Sequence, residues 1–182
     1  MVISSGSVQQ LVLLGAILLA INLFGVQARK LKIHKLEKGI EETEYLHSLL
    51  RIAEFKENVL QVSGELKLYS PMDNSWTIRF RVYRAPEEDG EYEKIWDLNE
   101  MHVCDIMKSY YKDFFYEQLK EYSNAPHPST CPVPPDHYIL EDYPLDVHLL
   151  KKIMTPGYYR TNFKLSKGHV AVLSYTAELE IE

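Results

Sequence analysis

The sequence predicts a mainly β protein, an antiparallel β-sandwich of six to eight strands with one long amphipathic helix. Two runs, Leu60–Tyr69 and Trp76–Tyr83, alternate apolar and polar residues, which is the pattern of half-buried strands. A third segment, beginning near Met101, instead repeats its apolar residues every three or four positions, as one face of a helix does. Because alternation returns after this segment, we expect a β framework that carries the helix over an open side or an edge.

The strands before the helix follow from alternation and turn signals. The mixed charges and the glycine of Glu37–Glu44 predict a loop. The first predicted strand is Ser48–Glu57, with Leu50 and Ile52 pointing inward. The two alternating runs come next, and Pro71–Asn74 between them is a turn signal, so we expect those runs to form a hairpin.

The helix is predicted from Met101 to Tyr122, and the prolines within Ser123–Pro128 end it. An acidic loop, Ala85–Gly90, precedes it and should project into water, and Tyr92–Leu98 leads towards the helix. A helix with this many aromatic side chains needs a large apolar surface to pack against. Its apolar face comprises Val103, Ile106, Met107, Tyr110, Tyr111, Phe114, Phe115, Leu119 and Tyr122.

Three further strands are predicted after the helix. His137–Tyr143 is the first of them, and Tyr158–Leu165 follows a Thr-Pro-Gly turn. His169–Ile181 alternates over most of its length, with Ser166–Gly168 as the hairpin loop before it. No internal repeat or low-complexity tract interrupts this pattern.

The first 28 residues indicate a secretory signal peptide. Leu11 to Ala28 is an uncharged apolar run, and Val26 and Ala28 place small residues where a signal peptidase cuts. A retained membrane anchor is the alternative, because the run is close to the minimum spanning length. Cleavage after Ala28 would leave residues 29–182, the length of one ordinary domain, in the extracellular space.

The net charge limits the possible partners, and the cysteine content indicates a disulfide. The chain has 20 basic and 26 acidic side chains and a net charge of −6, which argues against nucleic acid as a partner. Its two cysteines, Cys104 and Cys131, most simply form one disulfide in a secreted chain. Free thiols or metal ligands are the alternative reading of this pair.

Motifs for catalysis, cofactors and metals are missing from the sequence. The seven histidines are scattered and never paired at i+3 or i+4, and no zinc-binding spacing accompanies the cysteines. No nucleophile elbow or glycine-rich phosphate loop occurs. We therefore expect a protein that is not an enzyme and that holds no cofactor or metal, although a triad assembled only in space would escape this test.

Several motifs in the second half of the chain resemble an insect family of secreted proteins that includes the chemosensory protein B group. That group is similar to the ganglioside activator protein and to the wider ML lipid-recognition domains. The resemblance covers Val59 to Glu182, although lipid-recognition relatives often carry more disulfides than the single pair here. The residues that carry it are Cys104–Tyr111, Phe114–Phe115, Tyr122–Asn124, Cys131–Pro132, Tyr138, Tyr143–Asp146 and Pro156–Arg160.

This resemblance implies an immunoglobulin-like sandwich that holds a lipid, cuticular hydrocarbon or contact pheromone between its sheets. It also implies that the protein is found in extracellular fluid and has a role in chemosensory perception. Aromatic residues at inward phases would line such a site, and an ordinary filled core is the alternative interpretation of the same residues. The candidate ligand-binding residues are Trp76, Ile78, Phe80, Val82, Phe114, Phe115, Leu119, Tyr159 and Phe163.

Three functions remain open from the sequence. The first is an extracellular carrier of apolar ligands, which would copurify with lipid. The second is a partner of an extracellular receptor or of membrane lipid, with a filled core and no small ligand. The third, a secreted hydrolase, would turn over esters and be blocked by a serine-directed reagent.

Overall fold

The strands of the computed structural model, which describes residues 30–56, 59–147 and 154–182, form two antiparallel sheets. The larger sheet has the strand order β1-β8-β7-β4-β5, and the smaller sheet has the order β2-β3-β6. The two pack into the predicted sandwich of immunoglobulin type. The strands are β1 Leu31–Glu41, β2 Leu46–Lys56, β3 Val59–Leu68, β4 Trp76–Ala85, β5 Glu93–His102, β6 His137–Asp146, β7 Gly157–Lys167 and β8 Val170–Ile181.

A core of large apolar side chains lies between the sheets, at the end of the sandwich where the helix begins. Trp76 at the start of β4 and Leu46 at the start of β2 are completely buried. Tyr45 meets the Trp76 ring edge-on, with 5.9 Å between the ring centroids. The remaining members of this cluster are Leu68, Met72, Val103, Met107, Val133, Leu165, Val172 and Leu173.

The predicted hairpin between the first two alternating runs is wrong, although both runs are strands. Strand β3 pairs with β2 and β6, whereas β4 pairs with β5 and β7 in the other sheet. Pro71–Asn74 therefore carries the chain from one sheet to the other, and Met72 forms an isolated bridge with Val133 on the way. A turn signal marks a reversal of direction, and the same residues suit a hairpin or a crossing between sheets.

The prediction of a loop at Glu37–Glu44 is also wrong, because most of that segment belongs to β1. This strand is at the edge of the larger sheet and pairs with β8. Edge strands tolerate charged side chains, since one side of the strand faces water. Here the charges pair with neighbours, as in the ion pairs of Lys32 with Glu182 and of Lys38 with Glu41.

The helix, α1, spans residues 103–119 rather than Met101 to Tyr122. Short α-helical turns, Val103–Ile106 and Tyr116–Leu119, flank a π-helical segment at Met107–Phe115. The N–H of Tyr116 accordingly donates to the carbonyl of Tyr111, five residues back. Wider turns displace the side chains from their predicted face.

The helix therefore lacks the continuous buried face that its spacing predicts. Val103, Cys104 and Met107 are buried near its start. Phe114 and Phe115, by contrast, are 70% and 46% exposed. The fully buried residues of the helix lie at its beginning, and in its middle Tyr111 packs against the core while Phe114 and Phe115 face solvent.

The predicted disulfide is present. Cys104 and Cys131 are joined, with their Cα atoms 5.7 Å apart. The bond links the start of α1 to the loop that follows it, and the peptide bond after Cys131 is cis. This same loop is held by Tyr111, whose hydroxyl donates to the carbonyl of Pro126 at 2.7 Å, and burial raises the pKa of Tyr111 to about 12.

The predicted signal peptide, residues 1–28, lies outside the described residues. Within the part of the chain that is described, the structure contains no helix with the length and apolar character needed to span a membrane.

Candidate functional site

A cavity of about 470 Å³ lies between the two sheets, beside the buried core. Alternate residues of a strand point to opposite faces of its sheet, so the walls come from the inward positions. The smaller sheet, the larger sheet and the end of the helix each supply one wall. The inward wall residues are Ser48, Leu50, Gly64, Leu66, Tyr138 and Leu140, facing Phe163, Leu173 and Tyr175, with Leu119, Ser123 and Ala125 alongside.

A glycine at the middle of the smaller sheet helps to keep this space open. Gly64 on β3 lies opposite Leu50 on β2 and Leu140 on β6, so two leucines flank a position without a side chain. A Cβ atom at Gly64 would come within 2.5 Å of the carbonyl oxygen of Leu49. The close approach of β2 thus requires glycine at this position, and the gap it leaves is part of the cavity.

The cavity is mainly apolar, and its hydroxyl groups are few. Ser48 Oγ and Tyr175 Oη lie 2.9 Å apart and form one hydrogen bond with each other. The Tyr138 hydroxyl donates to the carbonyl of Pro134, and Ser123 donates to the carbonyl of Leu119. Leu49, Glu65 and Ile139 also border the cavity, but they occupy the outward phase of their strands.

Two of the predicted ligand-binding residues line this cavity, Leu119 at the end of α1 and Phe163 on β7. Two others, Trp76 and Tyr159, are fully buried outside it. The Tyr159 hydroxyl donates to the carbonyl of Thr155 at 2.5 Å, which fixes that ring in the framework.

The other five predicted residues lie elsewhere. Ile78 packs against the core, and Phe80 meets Trp96 of the edge strand β5 edge-on, with 5.7 Å between ring centroids. Val82 is half-buried opposite Trp96 in the same pair of strands. Phe114 and Phe115 are exposed on the helix.

Several wall residues were marked by the sequence only as inward-facing. Leu50, Gly64 and Leu66 all lie on the inward phase of their predicted strands. The signal that would have found them is the glycine, since an inward glycine between leucines of neighbouring strands leaves a space that no side chain fills. Recognising it requires the pairing of β2, β3 and β6, which the sequence does not supply.

The outward face of the larger sheet carries a cluster of charges centred on Asp97 of β5. Arg79 on β4 and Lys94 approach its carboxylate within 3.1 and 3.0 Å, and Arg81 approaches within 3.5 Å. The hydrogen bonds of Arg79 and Lys94 lower the pKa of Asp97 to about 2. Both arginines of β4 therefore pair with Asp97 across the strand pair β4–β5.

No cluster of three or more His, Cys, Asp or Glu side chains suited to a metal ion occurs within residues 30–56, 59–147 and 154–182. Four of the described histidines, His34, His47, His127 and His137, make ordinary polar contacts near the surface. His137, for example, contacts Glu65 at 2.7 Å, and His34 contacts Glu180 at 3.0 Å.

Comparison with protein families gives one match. Residues 78–161 match the model of a protein family of unknown function, DUF1091. The matched region begins in β4, includes the helix and both cysteines, and ends in β7. A search of curated proteins found no match.

Proposed function

We propose that this protein is a secreted, non-enzymatic binding protein that holds an apolar ligand between its two sheets. The observation that carries the proposal is the apolar cavity of about 470 Å³. This volume is within the range of roughly 300–1,000 Å³ that small-molecule sites occupy, and such sites are lined mainly by apolar side chains. Burial of ligand methylene groups would supply the binding energy, at about 0.8 kcal/mol each.

The class of ligand and the setting come from the resemblance to secreted lipid-recognition proteins. The proposed ligands are a lipid, a cuticular hydrocarbon or a contact pheromone, and the proposed role includes chemosensory perception. A disulfide between Cys104 and Cys131 supports an oxidising compartment, as does the signal peptide expected at residues 1–28.

The first experiment is to express the chain by secretion, purify it without detergent and analyse an organic extract by mass spectrometry. We expect a stoichiometric lipid or hydrocarbon. An extract without one, together with no uptake of an apolar fluorescent probe such as N-phenyl-1-naphthylamine, would contradict the proposal.

A pair of adjacent substitutions locates the binding. Leu50→Trp places a large ring inside the cavity, whereas Leu49→Trp places the same ring on the outward phase of the same strand. We expect Leu50→Trp to weaken binding of the fluorescent probe at least tenfold, because its ring occupies the ligand's space. Leu49→Trp should bind as the wild type does. Equal binding by the two folded variants would place the ligand somewhere other than this cavity.

A second candidate function is an extracellular protein that docks on a receptor. The observation that favours it is the exposed aromatic surface of α1, formed by Tyr110, Phe114 and Phe115. Saturable binding to receptor-bearing cells, lost in Phe114→Ser but kept in Leu50→Trp, would support this function.

A further inference from the structure

One polar pair interrupts the apolar wall of the cavity. Ser48 on β2 and Tyr175 on β8 reach towards each other from opposite sheets, and their hydroxyl oxygens are 2.9 Å apart. Each hydroxyl carries one hydrogen, and a single hydrogen bond between them uses only one of the two. The second hydrogen has no acceptor among the described residues.

The other side-chain hydroxyls of the cavity differ in this respect. Tyr138 donates its hydrogen to the carbonyl of Pro134 at 2.7 Å, and Ser123 donates to the carbonyl of Leu119 at 2.6 Å. Their donor capacity is therefore used within the protein. Only the pair of Ser48 and Tyr175, among the cavity hydroxyls in the described ranges, offers a donor to a bound molecule.

A part-buried donor that faces an apolar wall without an acceptor is unfavourable, and an oxygen atom of a ligand would satisfy it. We propose that the cavity binds a long-chain ligand with an uncharged acceptor oxygen, such as a ketone or ester, seated against Ser48 and Tyr175. This inference rests on the proposed function and narrows it, because a bare hydrocarbon would leave the donor unpaired.

The charges around the site explain why the oxygen should be uncharged. The cavity wall includes no Lys, Arg or His within the part of the chain that the structure describes. The N–H of Ser48 donates to the Glu41 carboxylate at 2.6 Å, and Lys38, the neighbouring cation, is already bound to Glu41. Although burial opposes ionisation, the bonds from Lys38 and Ser48 leave the pKa of Glu41 below its ordinary value.

A second set of carboxylates lies beside the cavity, where an anionic ligand would also meet them. Glu121, Glu141 and Asp142 line a surface depression that shares Ser123 and Ile139 with the cavity. A fatty-acid carboxylate would therefore approach negative charge without gaining a cation, which makes its burial costly.

The test compares ligands that share one carbon skeleton. Pentadecane, 2-pentadecanone, 8-pentadecanone and pentadecanoic acid compete against N-phenyl-1-naphthylamine in the wild-type protein. We expect the better ketone to bind about three- to tenfold more tightly than pentadecane, which is the size of one neutral hydrogen bond. The ionised acid should bind more weakly than that ketone.

The matched variants are Ser48→Ala/Tyr175→Phe and Tyr138→Phe. Removing both hydroxyls together leaves no orphaned partner, so the double variant should fold and bind the ketones and pentadecane alike. Tyr138→Phe removes a cavity hydroxyl whose hydrogen is already used, and it should keep the preference for the ketone.

The outcomes separate this inference from the proposed function. Equal affinity for pentadecane and both ketones in the wild type would overturn the inference while the carrier function stands, and this comparison needs no variant. A ketone preference that survives in the folded double variant would overturn the role of the hydroxyl pair. Tighter binding of the acid would overturn the requirement for an uncharged oxygen. Failure of every competitor and of the probe itself to bind would overturn the proposed function and the inference together.

Discussion

Asp97 is the residue whose ionisation should matter most to the stability of the larger sheet. Its carboxylate is the common partner of Arg79, Arg81 and Lys94. The contacts of the two arginines join β4 to β5, the edge strand of the larger sheet. The arrangement stabilises the charged form of the carboxyl, so the native state favours the ionised group more than the unfolded chain does.

Stability should consequently depend on pH through Asp97. Its pKa falls from 3.8 to about 2 in the native state. A lowered native pKa contributes stability above the unfolded value, and that contribution disappears as the pH falls from about 4 to about 2. We expect Asp97→Asn to be less stable than the wild type at neutral pH, with the difference shrinking across this window. Urea unfolding at a series of pH values measures it.

The control for that experiment is Asp89→Asn, which removes the same charge from the exposed acidic turn before β5. It should track the wild type across the acid range. A constant difference between Asp97→Asn and the wild type from pH 7 to about pH 2 would contradict the role assigned to the ion pairs.

At the scale of elements, the helix depends on its covalent link more than on its own packing. Only its first turns are buried, and Phe114 in its middle is largely exposed. The disulfide joins cysteines 27 residues apart and so restricts the unfolded chain. In the chain-entropy model a loop of this length contributes about 3–4 kcal/mol.

Cys104→Ser should therefore lower the free energy of unfolding by about 3–4 kcal/mol, measured by chemical denaturation without reductant. Cys104→Ser/Cys131→Ser should lose the same amount, because the loss belongs to the bond and not to either side chain. A single variant as stable as the oxidised wild type would show that the link contributes nothing to stability.

The helix also illustrates what the sequence could and could not predict at this scale. Its existence and approximate ends followed from apolar spacing, and the cysteine pairing followed from having only two cysteines. The exposure of Phe114 and Phe115 did not follow, because the spacing rule assumes 3.6 residues per turn and the π-helical segment Met107–Phe115 has wider turns. A single sequence contains no recognisable signal for these wider turns.

For the whole molecule, the fold class was predictable and the pairing of strands was not. Alternation in Leu60–Tyr69 and Trp76–Tyr83 correctly indicated two strands. Alternation is a local property, however, and the partner of each strand depends on the two sheets packing together. Since the cavity wall combines β2, β3 and β6 with β7 and β8, the site could not be placed from local patterns. Sequence reasoning therefore favoured conspicuous aromatic residues over Gly64 and most of the leucines of the wall.

Ligand binding should also be visible in the stability of the whole molecule, since a ligand that binds only the native state stabilises it by mass action. At a free concentration one hundred times the Kd, the gain is about 2.7 kcal/mol. For a domain of this size we expect the Tm to rise by about 5–10 °C, measured by differential scanning calorimetry. Leu50→Trp, with its cavity filled, should show no such rise under the same conditions, and an equal rise in that variant would argue against binding between the sheets.

The disulfide between Cys104 and Cys131 also determines how a proteolytic cut in the chain can be detected. The helix beyond its first turn and the loop after it both lie within the covalent ring, and Lys112 and Lys120 within that ring are exposed. A cut after either lysine would leave two polypeptides that remain one molecule. Such nicked protein would migrate at full size on a gel without reductant and would separate into two bands only after reduction, so an intact band alone would not prove an intact chain.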